Sequence, residues 1–189
     1  MSAPYRDRLA RAAQAAADAG IDALLLTPGA DLRYLVGYDA LPLERLTCLV
    51  VPAAGAPFLV VPGLEQHAAE ASGATEQVSL ATHGETDDAF RLLAARLNET
   101  LGRAPRTVGV ADRMWAQQVL RFREVLTGAV QSLAGDVLRP LRLRKLPDEV
   151  DSLRAAGAAI DRVHARMGEW LRPGRTEAEV ARDIADAIL

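Results

Sequence analysis

Short apolar runs bounded by turn residues recur along this chain, and stretches with helical spacing separate them. Asp22–Thr27, Thr47–Val51 and Phe58–Val61 are each short enough to read as buried strands, and Thr107–Val110 and Ala129–Leu133 read as further strands flanking a helix. Glu76–Ala81 reads as extended. Between the runs, Tyr5, Leu9, Ala12, Ala16 and Ala19 share one helix face, and Gly20 is placed to end that helix. Leu64–Ala71, Asp87–Leu101 and Arg113–Leu126 read as further helices, with Phe90, Leu93 and Leu97 on one side of the second. Pro52-Ala-Ala-Gly-Ala-Pro57 joins two of the strands as a hairpin with a long loop. Strands alternating with helices predict a three-layer α/β domain, helices covering both faces of a sheet. The hairpin makes that sheet mixed. The expected domain covers residues 1–135. Residues 134–146, with Pro140 and alternating Arg and Leu, read as a connector, the linker proper being 136–146.

From Pro147 the pattern changes. Pro suits the first helical turn, and Asp148 and Glu149 add negative charge where a helix start favours it. Val150, Leu153, Gly157, Ile160, His164, Met167 and Leu171 then recur at three- and four-residue steps, predicting one helix over 147–171. Pro173-Gly174 turns the chain. Thr176 with Glu179 is a capping-box pattern for a second helix, whose apolar face is Val180, Ile184 and Ile188. Little is left in the chain to bury these stripes, and no Gly or Asn caps the last helix. Residues 147–189 therefore read as the opening of a second domain, truncated at Leu189.

Composition narrows the function classes. Half of the 189 residues are hydrophobic and 25% are charged, an ordinary globular balance. A net charge of −3 with interspersed signs gives nothing for nucleic acid to read. No apolar run approaches the ~20 residues that cross a bilayer, so no membrane role is expected. The N-terminus enters a charged, Ala-rich helix instead of the apolar core of a signal peptide. One cysteine excludes an internal disulfide, which fits a reducing, cytoplasmic compartment.

Chemistry-bearing motifs are sparse. No Gly-x-Gly-x-x-Gly or Walker sequence follows a strand, and Thr27-Pro-Gly-Ala is a turn signal. His67, His83 and His164 stand singly: the first two read as surface residues, the third as an interface histidine on an apolar helix face. No metal site and no catalytic residue can be assigned. Cys48 reads as a small buried hydrophobe, and Trp115 and Trp170 as packing residues.

Two groups of motifs carry a family resemblance. The first is Arg144-Lys145, Glu149, Leu153-Arg154, Ala156, Ile160, Leu171, Pro173-Gly174, Thr176-Glu177 and Glu179-Val180-Ala181, in that order. The second is Gly20-Ile-Asp-Ala-Leu-Leu-Leu-Thr-Pro-Gly29, then Leu32-Arg-Tyr-Leu-Val-Gly-Tyr38, then Glu44-Arg45 leading into an apolar strand. Together they span nearly the whole chain. The chain resembles the Xaa-Pro peptidases: prolidases, aminopeptidases P and their relative creatinase. The resemblance implies a creatinase/prolidase-type N-terminal domain followed by the first two helices of a pita-bread catalytic domain. For the full-length protein it implies hydrolysis of short peptides before proline, a homodimer, and two divalent ions (Mn, Co or Zn). Those ions, held by two Asp, one His and two Glu lying beyond this chain, would activate a bridging water and polarise the scissile carbonyl. This chain, inactive alone, would serve subunit association and cleft shaping. Tyr34, Tyr38 and Arg45, in a loop-rich stretch, would face substrate, a phenol packing on a prolyl ring and a guanidinium pairing a carboxylate. The blander alternative has Gly37 ending a short helix, Tyr34 packing beneath it, and Arg45 pairing with Glu44 or solvent. Two other functions share the pattern: a pita-bread relative that binds peptides or proteins without catalysis, and a creatinase-like amidinohydrolase.

Overall fold

In the computed structural model, which describes residues 3–188, successive side chains of β1 (Ala23–Leu26) serve opposite sides of a sheet. Leu24 and Leu26 join one hydrophobic cluster, Ala23 and Leu25 another. The same alternation runs through β2 (Cys48–Pro52) and β3 (Phe58–Pro62), every residue of which is buried. With β4 (Ser79–His83), β5 (Thr107–Val110) and β6 (Val130–Leu133) they form a six-stranded sheet of order β4-β3-β2-β1-β5-β6. β2 is antiparallel to both of its neighbours, while β3–β4, β1–β5 and β5–β6 are parallel. Reversing one strand has a geometric result. The carboxy ends of the other five and the amino end of β2 share one edge of the sheet.

Helices cover both faces, as expected. α1 (Ala3–Asp18), α2 (Ala30–Val36), α3 (Gln66–Ala71) and α6 (Gly135–Leu143) supply the first cluster, with Leu9, Ala12, Ala16, Leu32 and Leu35 buried there. α4 (Ala89–Leu101) and α5 (Ala116–Val125) supply the second through Leu93, Leu97 and Phe122. Phe90 and Phe122 meet edge to face, centroids 4.9 Å apart.

Local differences from the sequence reading have identifiable causes. The stretch read as a connector holds α6, because Ala134, Val137, Leu138 and Leu141 recur at helical spacing and all pack on the first cluster. Pro140 lies inside that helix on its exposed side, where it forgoes one backbone hydrogen bond. The extended segment expected over 76–81 falls at 79–83, since Ala74–Glu76 forms a 3₁₀ turn. Another 3₁₀ turn, Gly63–Glu65, replaces the start of the helix expected from Leu64. The first compact unit ends at Arg142.

The second unit, from Leu143, contains α7 (Pro147–Ala165), α8 (Met167–Trp170) and α9 (Glu177–Ile188). Pro147 occupies the first turn, and the Glu149 carboxylate accepts the Leu146 N–H at 2.8 Å. Thr176 and Glu179 cap each other: Glu179 accepts the Thr176 N–H at 2.8 Å, and the Thr176 hydroxyl accepts the Glu179 N–H at 3.3 Å. The helix expected over 147–171 is interrupted at Arg166, beside Gly168. The break turns Trp170 onto Val163 and Val180 as a small core. Val163 lies off the expected stripe. Leu153, Ile160 and Leu171, which lie on it, are exposed within this unit.

Candidate functional site

The shared edge gathers the loops that follow β1, β3, β4, β5 and β6 and the segment that precedes β2. Gly37 closes α2 in the left-handed region (φ 75°), donating its N–H to Arg33 O at 2.9 Å. A Cβ there would meet the Tyr5 hydroxyl at 2.8 Å, so conformation and space both require glycine. Tyr34 lies one turn back. The Arg8 guanidinium sits 4.6 Å from its ring centroid, and its hydroxyl donates to Leu141 O at 3.4 Å. Tyr34 thus ties α2 to α1 and α6. Tyr38 is buried in the first cluster, where burial, and then the nearby Glu65 carboxylate, push its phenol pKa up.

Arg45 is placed differently. Its Nε stands 3.0 Å from Glu85 Oε1 and 3.2 Å from Oε2, so its partner is Glu85, not Glu44. Here it lines a cleft of about 400 Å³ beside side chains of the second cluster. The three residues singled out from sequence are therefore not brought together: both tyrosines pack on the first cluster, and Arg45 faces a cleft by the second.

The floor of that cleft is well ordered chemically. His83, expected at the surface, ends β4 and is buried, its ring lying between two backbone carbonyls, to one of which a neutral imidazole donates. Nε2 is 3.0 Å from Leu46 O and Nδ1 3.3 Å from Gly84 O. Asp87 accepts the Gly84 N–H at 2.7 Å. Asp88 caps α4, its Oδ1 accepting the N–H groups of Phe90 and Arg91 at 3.1 and 3.2 Å. Arg121 reaches from α5 to Asp88 Oδ2 at 3.0 Å. Burial alone would raise the Asp88 carboxyl, but the Arg91 N–H, the Arg121 guanidinium and the Phe90 N–H together hold it below the usual range.

A second cleft of about 520 Å³ opens between the ends of β1 and β5. One wall is Thr27-Pro-Gly-Ala-Asp31; the other includes Asp112, Arg113 and Trp115. Arg142 closes it, its guanidinium 2.8 Å from Asp31 Oδ1. Asp112 accepts the Gly135 N–H at 2.7 Å, an approach so close that a Cβ on residue 135 would clash with the carboxylate. Trp115, read as a packing residue, is 44% exposed here, because it precedes the first turn of α5 and does not sit on its buried face.

The remaining candidates are quieter. Cys48 is fully buried, as expected, and burial pushes its thiol pKa well up. His67 is exposed beside Glu70 at 3.6 Å. His164, expected at an apolar interface, is exposed within its unit, because Val163 takes the buried position beside it. Among the described residues no group of three or more His, Cys, Asp or Glu side chains could hold a metal ion, so the residues present do not fit a metal pair. No helix among them is long and apolar enough to cross a membrane.

Sequence reasoning missed a polar clamp. Asp22, just before β1, accepts from Arg103 at 2.5 and 3.2 Å and from the N–H groups of Arg106 and Thr107 at 2.6 and 3.2 Å. The Arg103 hydrogen bond chiefly, then the Arg106 and Thr107 N–H groups, outweigh burial and lower its pKa to about 2. Nothing local marks such a pair. For Asp88 a signal existed, since an acidic residue directly before an amphipathic run is a capping pattern.

Comparison with known proteins adds a second line of evidence. Residues 8–144 match the creatinase/prolidase N-terminal domain. A probable dipeptidase, PepE, of Mycobacterium tuberculosis is 51% identical over 186 residues, covering 98% of this chain and 48% of that protein. The crystal structure of dipeptidase PepE from Mycobacterium ulcerans superposes with a TM-score of 0.89 at 47% identity, over 99% of this chain and 49% of that one. A prolidase from Thermococcus sibiricus shares the fold, with a TM-score of 0.84 at 23% identity over 97% and 49%. The chain spans about half the length of the curated relatives it matches.

Proposed function

The chain belongs to the creatinase/prolidase N-terminal domain family, and from that premise we propose that it is the N-terminal part of a cytoplasmic, homodimeric Xaa-Pro dipeptidase. The observation that carries this reading is the 51% identity to a probable dipeptidase across 98% of this chain. The reaction is hydrolysis of the bond before proline in short peptides. Its catalytic residues, and the donors for two divalent ions (Mn, Co or Zn), lie outside residues 1–189. These ions would supply an activated water and a polarised carbonyl. Among the described residues no donor set fits them.

This chain's own work is subunit association and the shaping of a cleft that admits only short substrates. The Tyr34–Arg45 segment faces that cleft. Arg45 pairs the substrate carboxylate, exchanging its exposed Glu85 partner for it, an exchange made easy because exposed ion pairs are weak. Tyr34 and Tyr38 hold the segment's backbone in place from the core side.

An activity assay tests the division. With an Xaa-Pro dipeptide and Mn²⁺ or Co²⁺, the purified 189-residue chain is expected to show no turnover, while a longer protein carrying it at the N-terminus hydrolyses the substrate. Metal-dependent turnover by the short chain that survives repurification would overturn the assignment, as would a longer protein inert toward every Xaa-Pro substrate.

A further inference from the structure

The cleft between β1 and β5 is not used by the reading above. It lies where the chain leaves two parallel neighbours for opposite faces of the sheet: α2 follows β1 onto the first cluster, α5 follows β5 onto the second. In α/β sheets such a divergence leaves a crevice at the carboxy ends of the strands, the usual place for a small ligand. At about 520 Å³ it is within the range of small-molecule sites.

Its lining has a definite chemical character. Both signs of charge are present, Asp31 and Asp112 against Arg113 and Arg142, around an apolar surface of Trp115 and Pro42. The Asp31 carboxylate is 19% exposed. Arg142 takes its Oδ1, and no hydrogen bond from a described residue reaches Oδ2. The Arg113 guanidinium makes no hydrogen bond or ion pair among the described residues. Trp115 leaves a large part of its ring open for an apolar group to lie on. A simple anion would meet two carboxylates, and a simple cation two guanidiniums. Only a ligand bearing both charges and an apolar body complements the whole lining.

We propose that this cleft binds a free, zwitterionic amino acid with an apolar side chain. The ammonium is taken by Asp31, the carboxylate by Arg113, and the side chain lies on Trp115. The inference stands on the charge pattern and holds whether or not the longer protein cleaves Xaa-Pro bonds. Under that reading the ligand class is also what dipeptide hydrolysis releases, which would make the cleft a product-sensing site.

The test is a binding measurement on the 189-residue chain, independent of activity. Calorimetric titration with L-leucine is expected to give one saturable site with a Kd of about 1 mM or below, reachable for a ligand of this size. Tryptophan emission should change in parallel, and Trp115→Phe should abolish that change while buried Trp170 remains. Leucinamide and N-acetyl-leucine, each lacking one charge, should bind about tenfold or more weakly, as should Arg113→Ala, for one lost charge-assisted contact. Arg45→Ala, in the other cleft, should bind L-leucine unchanged. Absence of saturable heat, equal binding of the capped compounds, or loss of binding in Arg45→Ala with retention in Arg113→Ala would each overturn the proposal.

Discussion

Two side chains carry opposite kinds of consequence at the scale of the residue. Arg45 is held by an exposed carboxylate, so little of the fold depends on it. If a longer protein carrying this chain acts as proposed, Arg45→Ala is expected chiefly to raise KM and lower kcat/KM roughly ten- to a hundredfold, since a charge-assisted contact is worth ~1.5–3 kcal/mol. Steady-state kinetics with an unchanged melting temperature would agree; unchanged kinetics with lost stability would assign Arg45 to scaffolding instead. Asp22 is the reverse case, a structural ion with no route to substrate in either cleft described here. Its carboxyl titrates at about 2 when folded against 3.8 ordinarily. Because the folded value is the lower one, the clamp's contribution is complete above about pH 4 and disappears as pH falls through about 2. With Arg103 half exposed, that contribution is on the order of 1–2 kcal/mol. Urea titrations of the wild type and Asp22→Asn should differ by this amount at pH 7 and converge toward pH 2. A constant difference across that range would show that the pair is not what titrates.

Among the elements, α4 and α5 are joined by the Phe90–Phe122 contact and by one carboxylate. Asp88 caps the first and receives Arg121 from the second, so Asp88→Ala loses a cap and an interhelix contact together. A loss of about 1–2 kcal/mol is expected by chemical denaturation, the cap alone accounting for about 1. Arg121→Ala should reproduce only the smaller part; equal losses would mean that the cap contributes nothing. The strands were legible in the sequence because short apolar runs between turn formers leave few other readings. β1, β2 and β3 are buried throughout, and β5 and β6 fall where the remaining runs do, β6 as an edge strand with Val130 and Leu133 exposed. α6 was obscured because Pro140 and the alternating Arg and Leu mask the spacing of Val137, Leu138 and Leu141. The break at Arg166 was hidden because the stripe through Ile160 and Leu171 is periodic, yet the small core it competes with forms around Val163 and Trp170. For the cleft residues, sequence supplied residue types but not partners. Arg45 meets Glu85 across 40 positions and Arg103 meets Asp22 across 81, separations at which only the fold decides proximity.

Across the whole molecule, protection should be uneven. The first unit packs helices on both faces of its sheet, while the second has, among the described residues, a core of three buried side chains backed by three partly buried ones. Hydrogen exchange is expected to find the amides of residues 23–26 slower than those of 177–188 by several orders of magnitude, as global and local opening differ. Equal protection would show that the second unit is as cooperative as the first. The lone reversed strand also has a practical side. With the loops of both clefts on one edge, the Ala53–Pro57 hairpin tip lies at the other, and Ala54 there is exposed. Cys48 is sealed in the sheet with its thiol held protonated, so Ala54→Cys would introduce the protein's single reactive thiol. A dye or a solid support attached at that point would hold the molecule by its back, both clefts open to whatever is offered.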